Sequence, residues 1–377
     1  GWSVGGRGRR GWLLAYAVAQ LVYWTGYGLY YTYSRMLVEE SLGQAYSFIA
    51  LLMAAETAPM LLSVLLGFLA DRLGRARMML LGLGEAAAMA AMGPAGLRRL
   101  PLLAAVAASF HAVSYTAYTG ALLAGASGSG LTYSLVAMGG SVGWGLGGLA
   151  AGLAHGLGPR VEFSLAGILV GAGYVVAAAS TPGSLEAPTS LGLGDVARGL
   201  AGLRFLAVSL VLSSAGLSLF AGAAALKLRA EIRSPVLYGF VFATITALVG
   251  AAVRPLAGWA SDRLGHVRLL LASTLAYIPL AYGMLVAHGL LLAALWVLPV
   301  YPFRDVAMML SASTMLPESL QATAAGVVSF SNSLSGLVLA ALSPALGRGD
   351  LVRVFLFSAL LLGSGAAALA PYMSKAK

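Results

Sequence analysis

Long apolar runs alternate with short polar interruptions along this chain. A helix needs about 20 apolar residues to cross a bilayer. Runs of that length fall at 12–34, 44–70, 78–96, 101–124, 131–154 and 161–181, and after a longer polar stretch at 205–227, 235–259, 267–287, 289–312, 321–346 and 351–373. The pattern predicts an all-α membrane protein with twelve transmembrane helices, six on each side of the polar stretch. Thr181-Pro182-Gly183-Ser184 stops the sixth run and Pro188 delays a restart. Asp195 is placed to cap a short surface helix that carries Val196, Leu200 and Leu203 on one side. The expected division is an N-terminal half at 1–184, a cytoplasmic linker at 185–204 and a C-terminal half at 205–377.

One interruption occurs twice. Gly67-Phe68-Leu69-Ala70-Asp71-Arg72-Leu73-Gly74-Arg75-Ala76-Arg77 returns 191 residues later as Gly258-Trp259-Ala260-Ser261-Asp262-Arg263-Leu264-Gly265-His266-Val267-Arg268. A glycine tolerates the positive φ of a tight turn. An aspartate at the end of one helix can accept hydrogen bonds from the free N–H groups at the start of another, where the helix dipole favours a carboxylate. Arginines stay at the headgroup level. Both copies resemble the loop signature of the major facilitator superfamily, between helices 2 and 3 and between helices 8 and 9. The resemblance implies two pseudo-symmetric six-helix halves, a solute cavity between them that opens alternately to each side, and hairpins that act as gates. It also implies that Asp71 meets the start of helix 11 and Asp262 the start of helix 5, with both termini cytoplasmic. The basic residues are too evenly spread over the loops to fix the orientation by themselves.

Composition narrows the classes. Charged residues make up 10% of the chain against about 25% in soluble proteins, so the natural solvent is lipid, and a multi-pass protein of the plasma membrane is expected. The net charge of +10 is scattered over loops, which suits anionic lipid headgroups rather than nucleic acid. Cysteine is absent, which removes disulfides and thiolate chemistry. There is no phosphate-cradling Gly-x-x-x-x-Gly-Lys-Ser/Thr loop and no recognisable nucleophile setting, so neither an enzyme nor an ATP-driven pump is expected. No cofactor and no metal are expected either, because His111 has no second ligand at coordinating distance in sequence. The basic residues 1–10 precede a run long enough to span, so no cleavable leader is read. A monomer is expected.

The first helix is rich in aromatic residues. Gln20, Tyr23, Trp24 and Tyr27 lie deep enough either to line a cavity or to pack, whereas Tyr30, Tyr31 and Tyr33 suit an interfacial belt. His111 and Tyr115 on the fourth helix, Tyr301 and Arg304 on the tenth, and Asn332 on the eleventh complete the candidate substrate-binding set. A charge inside a span must be paired, neutralised or wet. Glu56 and Asp305 are the candidates for proton coupling, with a carboxyl bonded to a backbone carbonyl near Pro59 as the alternative for Glu56. Arg254 is read as part of the hairpin and Glu85 as a buried packing contact. Of Arg304 and Asp305, adjacent on one helix, one is expected to face the cavity and the other to pair with a neighbouring helix.

Gly139-Gly140-Ser141-Val142-Gly143-Trp144-Gly145-Leu146-Gly147-Gly148 resembles the Gly-x-x-x-Gly-Pro-x-x-Gly-Gly motif of proton-coupled antiporters in the superfamily, with Trp144 in place of the proline. Its glycine ridge equally suits close helix packing. The arginine that many family exporters carry on helix 4 is missing here. The preferred reading is a secondary transporter that exports an amphiphilic compound in exchange for protons. The alternatives are uptake or facilitated transport of a small organic anion bound by Arg304, and a non-transporting sensor or partner protein with a transporter fold.

Overall fold

The computed structural model describes residues 6–42, 46–183, 192–232, 234–346 and 351–373, all helix and connecting turn, with no strand among them. In order, the helices are α1 (Gly6–Leu42), α2 (Tyr46–Thr57), α3 (Ser63–Leu73), α4 (Arg75–Leu80), α5 (Gly82–Ala95), α6 (Leu100–Ala126), α7 (Gly130–Ala154), α8 (Pro159–Ser180) and α9 (Leu193–Gly202). There follow α10 (Arg204–Glu231), α11 (Pro235–Gly239), α12 (Thr246–Leu264), α13 (His266–Val286), α14 (Gly289–Val297), α15 (Tyr301–Met315), α16 (Gln321–Leu346), α17 (Leu351–Ala367) and α18 (Ala370–Met373).

Ten helical stretches are long and apolar enough to cross a membrane among the described residues. Helices also stand at the other two expected positions, α1 and α16. Three local expectations need correction. The tenth run is not one helix: it breaks between Val297 and Tyr301, where Pro299 removes a backbone donor. Asp195 lies inside α9 rather than ahead of it, so it is not the N-cap. The eighth run passes through a π-helical stretch at Phe240–Ile245 before α12 begins. Ser184 and Pro188, read as breakers, lie outside the described residues.

The chain forms two compact units. The first comprises residues 1–128, 132–190 and 317–326. At its centre is α6, in which every residue from Thr116 to Ala126 is buried; a helix apolar all round belongs in a core. Tyr16, Tyr23 and Tyr30 recur every seven residues on α1 and are all buried, which directs one stripe of α1 inward. Phe163, Val170 and Tyr174 form the matching buried stripe of α8.

On α7, Gly139, Gly143 and Gly147 fall one turn apart and lie against backbone carbonyls of α1 at Ala17, Leu21 and Thr25, themselves one turn apart. A Cβ built at these glycines would stand 2.4, 2.3 and 2.3 Å from those oxygens, so only glycine permits this approach. Gly148 has no such neighbour. The packing reading of the ridge therefore accounts for three of its glycines.

The second unit comprises residues 129–131, 191–316 and 327–377. Its core gathers Phe220 and Leu228 of α10, Tyr277 and Met284 of α13, Leu292 of α14, and Phe355 and Leu362 of α17. Phe242 and Trp296 stack at 4.9 Å, and the Trp296 indole N–H donates to the Phe242 carbonyl at 3.1 Å. That contact holds the π-helical stretch against α14.

The ridge makes a graded prediction. Gly143→Ala forces α7 off α1 and should cost about 1–3 kcal/mol of stability. Gly152→Ala, on the same helix with nothing within 4 Å of its Cβ, should be neutral or gain about 0.5–1 kcal/mol from lost glycine freedom. Thermal unfolding of the purified protein in detergent compares the two. Equal melting temperatures would show that the ridge does not set the packing.

Candidate functional site

The two hairpins are built alike. Gly74 closes α3 at φ 104° and Gly265 closes α12 at φ 86°, each donating its N–H to the carbonyl four residues back. In the first unit the Asp71 carboxylate accepts the N–H groups of Ala322 at 3.0 Å and Thr323 at 2.8 Å, together with the Thr323 hydroxyl at 2.8 Å. These are the second and third residues of α16, whose N–H groups have no partner within their own helix. Arg75 closes on the same carboxylate, Nε to Oδ1 at 2.9 Å, and reaches the Glu318 carbonyl at 3.3 Å.

In the second unit Asp262 does the same for α7, accepting from Gly130 at 2.5 Å and Leu131 at 3.0 Å. The copies differ in environment. Asp71 and Arg75 are buried, whereas Asp262 is exposed and His266, at the position of Arg75, bonds Ser261 instead. Gly67 also sits tight, with the Ala322 carbonyl 2.3 Å from where a Cβ would stand, and Gly258 turns its carbonyl toward Gly130. Arg72, Arg263 and Arg268 are exposed, and Arg263 lies over the Trp259 ring at 5.4 Å.

A third carboxylate repeats the device. Glu231, at the end of α10, accepts the N–H of Gly289 at the start of α14 and a bond from His288. The Gly289 N–H, followed by His288, holds this carboxyl below its ordinary value. At the other helix polarity, the buried Lys227 ammonium donates to the Met284 and Leu285 carbonyls at 2.8 and 2.6 Å, in the last turn of α13.

The first unit also assembles most of the aromatic candidates. Tyr23 contacts Trp24, Tyr27, His111, Tyr115, Tyr118 and Tyr174, with ring centroids 5.0–6.2 Å apart. His111 stacks on Tyr115 at 4.7 Å and 11°. Trp24 and Tyr27 meet Trp144 of α7. Gln20 is buried beside Gly139 and Gly140. Trp24, Tyr27 and Tyr115 are half-buried, so this cluster keeps an open face. Tyr30 and Tyr33 are buried rather than spread along an interface; the Tyr30 hydroxyl donates to Glu56 at 2.6 Å, a demand the belt reading did not include.

Glu56 does not bond a backbone carbonyl near Pro59. It forms a two-pronged ion pair with Arg35, whose guanidinium also lies 3.7 Å from the Tyr31 ring centroid. Arg35 sits at the end of the first expected span, and only the long extension of α1 to Leu42 makes it a helical neighbour. Glu85 is fully buried, as expected of a packing contact, but it is bonded to His111, Tyr23 and Tyr174.

Within the second unit Asp305 pairs with Arg254 at 2.7 Å. Arg254 therefore does not belong to the hairpin: its long side chain turns toward α15, with Tyr301 at 5.8 Å. Arg304 points the other way and is 5% exposed. Its Nη2 donates to Ser213 at 2.8 Å and Ser214 at 3.0 Å, and Nη1 lies 3.9 Å from the Met308 sulfur. The Nε has no partner. Among the described residues Arg75 and Arg254 are the other buried arginines, and each has a carboxylate. Ser214 continues to Asn332 at 2.8 Å, which is exposed. Sequence reasoning missed Ser213 and Ser214, although a pair of serines in the middle of an apolar run was a visible signal.

Helical stretches long and apolar enough to cross a bilayer, with buried charges and helix-capping hairpins among them, define a multi-pass membrane protein. Residues 16–340 match the Major Facilitator Superfamily, and the chain belongs to that family. Two of the solved structures that share the fold illustrate it. One is the human organic anion transporter MFSD10 (TETRAN), with a TM-score of 0.73 at 15% identity, covering 96% of this chain and 99% of that one. The other is a bacterial homologue of the iron transporter ferroportin in an outward-facing state, with a TM-score of 0.72 at 13% identity and the same coverage. No curated protein sequence matches the chain.

The two aspartates should respond unequally to substitution. Asp71→Asn leaves Arg75 buried without its counter-charge and should cost about 3–5 kcal/mol. Asp262→Asn weakens an exposed cap and should cost about 1 kcal/mol. Thermal unfolding in detergent reads both. A smaller loss at Asp71 than at Asp262 would refute the assignment of Arg75 as a buried dependant of Asp71.

Proposed function

We propose that this transporter carries a small organic anion, held by Arg304, by exposing its binding site alternately to the two sides of the membrane. The observation that carries the reading is a buried guanidinium with no carboxylate and a free Nε. Removing a charge from water without a partner is expensive, so the site is complete only when an anion occupies it. A guanidinium fork matches a carboxylate in two-pronged fashion. Arg304 stands in the first turn of α15, after the break in the tenth run, where the helix dipole also favours an anion. Ser213, Ser214 and Asn332 supply hydroxyl and amide groups along the way out to solvent. The likeness to an organic anion transporter contributes the fold alone; Arg304 contributes the chemistry.

Proton-coupled export through Glu56 and Asp305 has less support. Both carboxylates are engaged by arginines, Arg35 and Arg254, and a proton would have to displace a guanidinium in each case. The hairpins would act as gates whose helix-capping bonds form in one state and release in another, consistent with carboxylates capping helices from outside them. We read the protein as two six-helix halves, 1–184 and 205–377, joined by the linker 185–204. It would work as a plasma-membrane monomer with both termini cytoplasmic.

Reconstituted vesicles test the reading with lactate, succinate, citrate and salicylate as probes, and glucose and tetraphenylphosphonium as neutral and cationic controls. At least one anion should enter in preference to both controls. Arg304→Ala should reduce that flux by at least tenfold, about 1.4 kcal/mol, and Arg304→Lys should recover only part of it because a point charge lacks the fork. Anion flux untouched by Arg304→Ala in a folded protein would overturn the reading.

A further inference from the structure

Glu85 and His111 carry an inference that neither the family nor Arg304 requires. Glu85 of α5 is completely buried and meets groups from three other helices. Its Oε1 lies 3.2 Å from the Tyr23 hydroxyl of α1 and 3.1 Å from the His111 Nδ1 of α6. Its Oε2 lies 2.8 Å from the Tyr174 hydroxyl of α8 and 3.3 Å from the same Nδ1. Tyr23 and His111 are themselves 2.8 Å apart.

The remaining titratable groups packed around this pair are the phenols of Tyr27, Tyr115 and Tyr118, with the Ser114 hydroxyl beside them. No lysine or arginine pairs with Glu85 among the described residues. Glu56 and Asp71 each hold an arginine, and the buried Glu162 stands in the first turn of α8, where the dipole favours it. Glu231 also bonds a histidine but is no core residue; of the buried carboxylates among the described residues, only Glu85 is bonded to a group whose charge can be gained and lost.

We propose that Glu85 and His111 form a proton-binding site, loaded and unloaded through the His111 Nε2, and that its proton is the coupling ion of the transport cycle. The hydrogen-bond roles are fixed by the donors available. The two phenols donate to the carboxylate, and Nδ1–H of a neutral imidazole donates to Glu85 and Tyr23. The other ring nitrogen, Nε2, then carries the lone pair. It makes no hydrogen bond, and the His111 side chain retains 11% exposure while Glu85 has none. A proton arriving at Nε2 converts imidazole to imidazolium and takes the site from a net charge of −1 to zero, with no other bond made or broken.

A lone carboxylate is costly in a sealed apolar core and less so where water can reach it. The site therefore holds its proton more tightly when closed than when wet. Such a difference in affinity between states is what a coupled ion needs in order to bias them. His111 also stacks on Tyr115 and lies tilted beside Tyr27 in the open-faced aromatic cluster, so a molecule lying there would cover the Nε2 entry.

The proposal rests on the transporter reading but not on Arg304. Nitrogen-15 histidine NMR of the full-length protein in detergent tests the site with protons alone. The His111 signal, assigned by its loss in His111→Gln, should show a proton on Nδ1 and a bare Nε2 in the neutral ring, with acidification adding the second proton at Nε2. Glu85→Gln, which removes the counter-charge, should lower the doubly protonated fraction at a given pH about tenfold. If Glu85→Gln does not fold, Tyr174→Phe, which withdraws one donor from the carboxylate, should raise that fraction instead. A His111 ring that takes no proton at Nε2, or whose protonated fraction ignores these changes, overturns the site.

Coupling is read in vesicles with whichever anion of the panel above is carried. Glu85→Gln, at a fully buried position that no solute reaches, should continue to exchange that anion while losing its accumulation under an imposed pH gradient. Undiminished pH-driven accumulation would overturn the coupling role. If none of those anions moves, the Arg304 reading fails and the NMR titration still decides the proton site.

Discussion

The constraint on which this fold depends is that a helix end cannot hide from its own backbone. The first N–H groups and the last carbonyls of a helix have no partner within it, and a membrane protein has little water at depth to supply one. This chain answers with charged side chains from other helices. Asp71 serves α16, Asp262 serves α7 and Glu231 serves α14, while Lys227 serves the last carbonyls of α13. Each match joins segments distant in sequence, as with Asp71 and Thr323. The signs follow the dipole throughout, carboxylates at helix starts and an ammonium at a helix end.

Most of the few intramembrane charges are absorbed by such structural duties or by pairing. Arg75 neutralises Asp71, Arg35 takes Glu56, and Arg254 takes Asp305. Two places stand outside this accounting, one in each compact unit. Arg304 has hydroxyls and a thioether but no anion, and Glu85 has phenols and an imidazole but no permanent cation. On the readings proposed above, a solute completes the first and a proton the second. Folding stability is not served by either arrangement, since apolar residues of similar size would fill the space at lower cost.

What the sequence disclosed follows from how local each signal is. The hairpins were legible because turn glycine, aspartate and arginine lie within one turn of each other, so the capping role of the carboxylate could be derived before its partner was seen. The span 321–346 coincides with α16 because polar residues and a proline bracket it. The break between α14 and α15 is not legible from the run itself, because a proline such as Pro299 within a membrane run also permits a mere kink. Partner choice was the main failure. Arg254 lies one turn from Gly258 and was grouped with the hairpin by proximity in sequence, but a long side chain answers to the neighbouring helix. Glu85 and His111 are 26 residues apart on adjacent helices, and nothing in their local sequence announces that they face each other.

The glycine ridge of α7 shows why a resemblance in residues needs a physical account before it supports a mechanism. Gly139, Gly143 and Gly147 are needed wherever α7 lies against α1 at backbone distance, whatever the protein transports. Trp144, at the position of the antiporter proline, projects from the same helix into the aromatic cluster, within 5.7 Å of Trp24 and 5.2 Å of Tyr31. The ridge is thus a packing surface, and the tryptophan beside it contributes a ring to the aromatic cluster. An argument for proton coupling built on the glycines would be an argument about helix spacing. One built on Glu85 is about where a charge can and cannot persist, and a change of state acts directly on that term.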